Sequence, residues 1–124
     1  MNKKDLIETS AEKPIEEQAR EQTGQKQIRL YIDEKNMRTD YANAFRTSET
    51  AEEVILDLGL NVVRPSGEKQ EQPEIIFQAN DRIIMNYYSA KRLAITLSQL
   101  VRRYEQQFGE IELDVAKRRS GEKK

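Results

Sequence analysis

Two side chains on which much enzyme chemistry relies, those of histidine and cysteine, are missing from this chain of 124 residues. It contains no histidine and no cysteine, which excludes Ser-His and Cys-His nucleophile pairs, His/Cys zinc sites and disulfides. The nearest approach to an acid–base pair is Asp57 in a predicted strand, with Asp81 and Arg82 in the next strand and Arg46 at the end of the preceding one. Such carboxylates are candidates for catalysis. The same residues are equally consistent with ion pairs between neighbouring strands on a solvated sheet face, and we favour that interpretation over catalysis.

Three glutamates, Glu49, Glu52 and Glu53, cluster at the start of a predicted strand. Acidic clusters of this kind can hold a hard cation, but the spacing does not resemble a calcium loop. The sequence also lacks a glycine-rich phosphate loop and a Walker lysine. We therefore predict that the protein is not an enzyme and that it binds no cofactor and no metal.

Nucleic acid is the alternative partner that the sequence raises. The net charge is −1, so no general basic field attracts phosphates. Acidic residues also lie among the arginines of the predicted helix, so a nucleic-acid-associated accessory factor is the alternative and not the leading prediction. The candidate phosphate contacts, on the helix and near the C-terminal end, are Arg102, Arg103, Lys117, Arg118 and Arg119.

The pattern of charged and apolar residues predicts one folded domain between two tails. Residues 1–26 are rich in charge and poor in branched apolar side chains, so we expect a disordered tail. Residues 27–113 carry the periodic pattern of a single α+β domain, and residues 114–124 are expected to form a flexible basic tail. No run approaches the roughly 20 apolar residues of a membrane helix, and the N-terminal segment lacks the apolar stretch of a signal peptide. We predict a cytoplasmic protein without a membrane segment.

Alternating apolar residues predict an antiparallel sheet of about four strands in a meander. The segments are residues 28–33, 41–46, 54–63 and 75–85. The third is the clearest, because one of its faces is entirely aliphatic, and Gly59 within it allows a bulge or a close neighbour. The fourth is either one long strand or two strands joined by a turn at Asn80-Asp81, and we favour one long, bulged strand because its apolar residues keep one register. Those residues are Phe77, Ala79, Ile83 and Met85.

A long C-terminal helix is predicted between Asn86, a suitable N-cap, and Gly109, where a helix can end in a left-handed residue. Its apolar residues recur at i, i+3, i+4 and i+7, and we expect this main stripe to pack on one face of the sheet. Burial would contribute about 1.5–3 kcal/mol for each large side chain. Residues 111–115 alternate again and predict a short final strand or an extended segment. The main stripe consists of Ala90, Leu93, Ala94, Leu97, Leu100, Val101, Tyr104 and Phe108.

Several apolar residues fall outside this predicted core. Isoleucines of the strands lie opposite the main aliphatic rows, and Ile95 lies on the polar side of the helix. Two surplus apolar surfaces predict a homo-oligomer, either a dimer or a higher assembly. The predicted partner or oligomer surface consists of Ile55, Ile76, Ile84, Tyr88, Ile95 and Gln99.

Three parts of the chain resemble a family of bacterial and archaeal proteins, domain of unknown function 3467. The resemblance extends over most of the predicted domain. Because no activity is assigned to that family, the resemblance implies no catalytic residues. The similar stretches are YAN at 41–43 followed by TAEEVILDLG at 50–59, RIIMN at 82–86, and AKRL at 90–93 leading to YEQQFGEI at 104–111.

The sequence departs from the family pattern at Leu58, where relatives commonly have phenylalanine, and at Tyr87, where many relatives have proline. The order of antiparallel strands followed by a long helix, with an NYYSAKR helix start at 86–92, is similar to the SecB export-chaperone fold. That likeness implies oligomerisation and binding of unfolded chain segments in apolar grooves. The leading prediction is a non-enzymatic protein-binding or assembly module, in one version a SecB-like holder of nonnative polypeptide.

Overall fold

The computed structural model describes residues 14–65, 67 and 72–119, and these form an α+β protein. The chain divides into two compact units, Met1–Tyr41 and Ala42–Lys124. The first unit contains helix α1 at residues 14–23. The elements described in the second unit are, in chain order, β1 (Ala44–Glu49), β2 (Glu53–Arg64), β3 (Glu74–Asn86), α2 (Tyr87–Phe108) and α3 (Val115–Arg119).

Helix α1 lies within the predicted N-terminal tail. Gly24 ends the helix in the left-handed region, with φ of 75°, and its N–H donates to the carbonyl oxygen of Arg20 at 2.8 Å. This is a common helix ending, because glycine has no Cβ to clash in that conformation. Within the tail expected to be disordered, residues 14–23 form this helix. Residues 1–13 lie outside the described residues, so for them the disorder stays a prediction.

Residues 28–33, predicted as the first strand, form no strand in the structure. The expected alternation is present, because Ile28, Leu30 and Ile32 are half-buried and the residues between them are exposed. A strand also needs a neighbouring strand with which to exchange hydrogen bonds, and the described part of the first unit contains none. The prediction of about four strands was therefore wrong, and the observed sheet has three.

The three strands form an antiparallel meander in the order β1-β2-β3, as the sequence predicted for this part. β1 continues to Glu49, whereas the predicted strand ended at residue 46. The turn begins at Thr50, whose hydroxyl oxygen accepts hydrogen bonds from the N–H groups of Glu52 at 3.2 Å and Glu53 at 3.0 Å. This side chain fixes the turn and allows β1 to pair with β2 as far as Glu49 and Val54.

A β-bulge interrupts the pairing of β2 with β3. Leu58 lies opposite Asp81, but Gly59 lies opposite Ala79, so Asn80 is the extra residue on β3. A Cβ on Gly59 would overlap the carbonyl oxygen of Gln78. The expectation that Gly59 permits a bulge or a close neighbour is confirmed: the bulge lies on the strand opposite Gly59, and the backbone of that strand approaches it closely.

The bulge changes which side chains of β3 share a face of the sheet. Phe77 and Ala79 lie on the face of Asp57, while Ile83 and Met85 lie on the opposite face. The predicted common register of these four residues was wrong, because one extra residue reverses the alternation beyond it.

The sheet has two chemically different faces. One, the arginine face, carries two arginines and an aspartate among apolar residues: Arg46, Ile55, Asp57, Phe77, Arg82 and Ile84. The other, the aliphatic face, is formed by Phe45, Val54, Leu56, Leu58, Leu60, Val62, Ile76, Ile83 and Met85.

Helix α2 has the boundaries that the sequence predicted. The side-chain oxygen of Asn86 accepts a hydrogen bond from the N–H of Ser89 at 2.8 Å, which makes Asn86 the N-cap. Gly109 ends the helix with φ of 98°, and its N–H donates to the carbonyl oxygen of Glu105 at 2.8 Å. Both caps satisfy backbone groups that a helix end leaves unpaired.

The predicted packing of α2 on the sheet is not observed. None of the 22 described residues of α2 is buried, and Leu97 and Phe108 of the main stripe are 50% and 65% exposed. The physical reason is the connection: β3 ends at Asn86 and α2 begins at Tyr87, whereas a strand and the helix that packs back on its sheet are usually joined by a loop of about 2–6 residues.

Residues 111–114 form no strand, so of the two alternatives for this segment the final strand is not formed. Asp114 instead lies directly before α3, and its carboxylate accepts a hydrogen bond from the N–H of Ala116 in the first turn at 2.9 Å. Residues 120–124 of the predicted basic tail lie outside the described residues. No helix in the described part of the chain is long and apolar enough to cross a membrane.

Candidate interaction surfaces

The centre of the arginine face is a carboxylate held by two guanidinium groups. Asp57 lies directly opposite Arg46 of β1 and Arg82 of β3. Arg46 donates to Oδ2 of Asp57 from Nε at 3.0 Å and from Nη2 at 2.7 Å. Arg82 donates from Nε to Oδ1 at 2.7 Å and from Nη2 to Oδ2 at 3.0 Å. The Asp57 side chain is 4% exposed and the two arginines are 58% exposed.

These hydrogen bonds fix the charge state of the group. The bonds from Arg82 and Arg46 hold the pKa of the Asp57 carboxyl well below its ordinary value of 3.8, and the bond with Asp57 raises the pKa of Arg82. A carboxylate that stays ionised and whose two oxygens both accept hydrogen bonds is poorly suited to donate or accept a proton in catalysis. The geometry matches the cross-strand ion pairing that the sequence favoured.

Phe77 joins the arginine face because of the bulge. The guanidinium carbon of Arg46 lies 5.8 Å from the centre of the Phe77 ring, within the range of a cation–π contact. Sequence reasoning did not find this contact, because an uninterrupted alternation places Phe77 on the other face. An asparagine-aspartate pair in the middle of a long apolar strand, Asn80-Asp81, was the available signal for an irregularity.

Asp81, the second candidate carboxylate, lies opposite Leu58, the residue that follows Asp57 on β2. The two carboxylates are therefore not paired across the strands, although both line an open cleft of about 290 Å³ together with Arg46 and Arg82. Within the described residues, no group of three or more acidic side chains is placed to hold a metal ion. The absence of enzyme activity, cofactor and metal stays a prediction.

The aliphatic face is uncovered. Its central residues on β2 are half-buried, and Phe45 at the β1 side is 70% exposed. No apolar side chain anywhere in the described residues is buried. A sheet face of this composition is normally covered by another layer of structure.

The main stripe of α2 is the second uncovered apolar surface. Tyr104 and Phe108 stack along it with ring centres 4.8 Å apart. An open cleft of about 440 Å³ runs beside it and is lined by Ala94, Leu97, Ser98, Val101, Arg102 and Glu105.

The predicted partner residues fall in three places. Ile55 and Ile84 lie opposite each other on the arginine face, so the structure brings them together. Ile76 pairs with Val62 and lies on the aliphatic face, a correction of its predicted position that follows from the bulge. Ile75, which pairs with Val63 on the side of Asp57, takes the place that was expected for Ile76.

The remaining predicted partner residues lie on α2. Tyr88, Ile95 and Gln99 are exposed, with Ile95 at 49%. At 100° per residue they form a stripe on the side of the helix opposite the main stripe. Their participation in binding stays a prediction.

The predicted phosphate contacts are exposed and lie on two helices. Arg102 and Arg103 belong to α2, whereas Lys117, Arg118 and Arg119 form the end of α3. Their contact with nucleic acid stays a prediction.

These features define a class of protein: an α+β chain with an open three-stranded sheet, a carboxylate held between two arginines, and apolar surfaces that the described residues leave open. Comparison with protein-family models matches residues 8–113 to "Protein of unknown function (DUF3467)", and the chain belongs to this family. The resemblance noted in the sequence is thereby confirmed. Neither the search of curated proteins nor that of solved structures found a match, so the likeness to the SecB fold stays a prediction.

Proposed function

We propose that this protein is a non-enzymatic protein-binding and assembly module that works as a homo-oligomer. The observation that carries the proposal is that no apolar side chain in the described residues is buried, although the chain presents an aliphatic sheet face and an apolar helix stripe. Burial of apolar surface is the main favourable contribution to folding. Without it, the ordering of about 1–2 kcal/mol per residue is not offset, so a partner must supply the missing half of the core.

A more specific version of the proposal is a holder of nonnative polypeptide, as in the SecB-like reading of the sequence. Ile55 and Ile84 form an apolar pair beside Arg46 and Arg82 on the arginine face. Ile95 lies on the outer side of α2. Surfaces that combine apolar residues with arginine are typical of protein-binding sites. Extended apolar segments of an unfolding protein are the ligand class that such a surface fits.

The assembly part is tested by size-exclusion chromatography with light scattering on the full chain. We expect a mass of two or more chains at micromolar concentration. A single-chain mass over the whole accessible concentration range contradicts the proposal, because no partner copy then covers the apolar surfaces.

The holder part is tested by suppression of aggregation of an unrelated unfolding protein. Ile95→Asp is expected to weaken suppression severalfold while circular dichroism still shows the helix, because it places a charge in an apolar contact. Gln107→Asp is the matched control, since Gln107 is also exposed on α2 and its replacement adds the same charge outside the predicted partner surface without removing an apolar side chain. No suppression by excess wild-type protein, or an equal loss in both variants, contradicts the holder version.

A further inference from the structure

The junction of β3 and α2 fixes the direction in which the helix leaves the sheet. Asn86 is both the last residue of β3 and the N-cap of α2. In the first turn, the Tyr87 hydroxyl donates to the carbonyl oxygen of Thr50, in the β1–β2 turn, at 2.9 Å. A helix that folded back on its own sheet would need a loop at this point, and it would lose both the cap and the Tyr87 hydrogen bond. The main stripe therefore has no route to the aliphatic face of the same chain.

The two uncovered surfaces fit each other in size. Helix α2, with 22 residues, is about 33 Å long at 1.5 Å per residue. Strand β2, with 12 residues, spans about 40 Å at 3.3 Å per residue. The main stripe is apolar throughout, and nine apolar residues dominate the aliphatic face, where Thr47, Gln78 and Asp81 are the polar residues paired with Leu56, Leu60 and Leu58. An apolar helix stripe on an apolar sheet face is the ordinary two-layer α+β arrangement.

From this geometry we infer that two copies of the chain exchange α2, so that the main stripe of each copy packs on the aliphatic face of the other. The inference rests on the self-association that is part of the proposed function, and it names the surfaces that carry it. The resulting contact is a two-fold one in which each copy gives one helix and receives one.

The observations favour a second copy as the occupant over other partners. Each chain carries one helix stripe and one sheet face, so a reciprocal pair covers both surfaces and leaves neither over. Burying the exposed parts of about ten bulky side chains per copy removes on the order of 800 Å² from water on each partner, the size of a stable interface. Pairing of α2 with α2 would cover the stripe but leave the aliphatic face in water.

A mixing experiment distinguishes these arrangements. Leu97→Asp places a charge on the main stripe, and Ile83→Asp places one on the aliphatic face; both side chains are about half exposed, at 50% and 45%. We expect each variant alone to elute as a monomer. Their mixture is expected to form a heterodimer, because the intact helix of the Ile83→Asp chain meets the intact sheet of the Leu97→Asp chain.

The outcomes separate the inference from the proposed function. If Ile83→Asp alone remains a dimer and mixing restores nothing, helix exchange is refuted while self-association stands. If the wild-type chain is a monomer throughout, both fail.

Cross-linking covers the case in which either variant fails to fold. The chain contains no cysteine, so single cysteines can be placed without background. A mixture of Leu97→Cys and Ile83→Cys, treated with a flexible bismaleimide, is expected to give a covalent dimer, and Gln99→Cys with Ile83→Cys is the control on the opposite side of α2. Equal yields in both mixtures contradict the exchange. A Leu97→Cys/Ile83→Cys double variant that cross-links only within single chains also contradicts it.

Discussion

At the scale of single residues, Asp57 is the best-defined polar feature of the protein. Its carboxylate receives four hydrogen bonds from Arg46 and Arg82, one arginine on each neighbouring strand. Because these partners lie directly across from Asp57, the three side chains meet only in the observed pairing of the strands. A shift of one residue in either ladder would remove the carboxylate from a guanidinium group. It would then lie opposite Phe45 or Thr47 of β1, or opposite Asp81 or Ile83 of β3. The group therefore selects the register of the sheet.

The ion group also gives a pH dependence with a definite sign. The pKa of Asp57 is lower in the folded chain than its ordinary value of 3.8. Its stabilising contribution is thus complete above that value and is lost as the pH falls below it towards the folded pKa. Asp57→Asn is expected to be less stable than wild type at neutral pH and to lose less stability between about pH 5 and pH 2. Urea unfolding across this range measures both effects.

The control for this prediction is Glu74→Gln. Glu74 pairs with Arg64 at 3.2 Å, but both side chains are largely exposed, and such surface pairs contribute little. Its acid dependence should follow that of wild type. An Asp57→Asn variant with the wild-type acid dependence would show that the carboxylate does not carry this effect.

The pairing of Asp57 with two arginines was predictable from the sequence, because strict alternation along β2 and the signs of the charges limit the choices. The contact of Arg46 with Phe77 was not. This contact depends on Asn80 having no partner residue on β2. The alternation of apolar and polar residues does not specify whether Asn80 or Asp81 is the residue without a partner.

At the scale of elements, the bulge in β2–β3 is what distributes side chains between the two faces. It sets Gly59 against the backbone of Gln78 and Ala79 at a distance that only glycine allows. The position thus depends on the lack of a side chain and not on backbone angles that favour glycine.

Gly59→Ala is therefore expected to destabilise the protein by about 1–3 kcal/mol or more, the usual cost of forcing an extra group into close-packed structure. Chemical denaturation measures the change in free energy of unfolding. Gly67→Ala is the matched control, since a Cβ there meets nothing within 4 Å. Equal stability of the two variants would contradict the close approach described at Gly59.

The sequence predicted β2, β3 and both ends of α2 because each depends on local chemistry: alternation, an N-cap asparagine and a C-terminal glycine. Two predictions that depended on distant structure failed. Residues 28–33 alternate like a strand but lack a neighbour with which to pair, and the main stripe of α2 has the pattern of a docked helix but no loop that lets it dock. Periodicity reports which side of an element is apolar, and not which molecule covers that side.

At the scale of the whole molecule, no apolar side chain among the described residues is buried, and the proposed self-association therefore predicts that stability depends on assembly. The unfolding midpoint should therefore rise with protein concentration, because the folded oligomer is favoured by mass action. For a dimer, a tenfold increase in protein concentration raises the apparent free energy of unfolding by about 1.4 kcal/mol. Thermal unfolding at several concentrations measures the shift.

Leu97→Asp is the control for this measurement, since the charge removes the helix contact. Its midpoint should be lower and independent of concentration. A wild-type midpoint that does not move on dilution would contradict stabilisation by self-association.

The direct passage from β3 into α2 has a mechanical consequence. Since Asn86 is both the last residue of β3 and the N-cap of α2, no loop separates the two elements, and the helix follows the movements of the strand. A change of 10° in the twist of β3 would swing the far end of a rod about 33 Å long by about 6 Å.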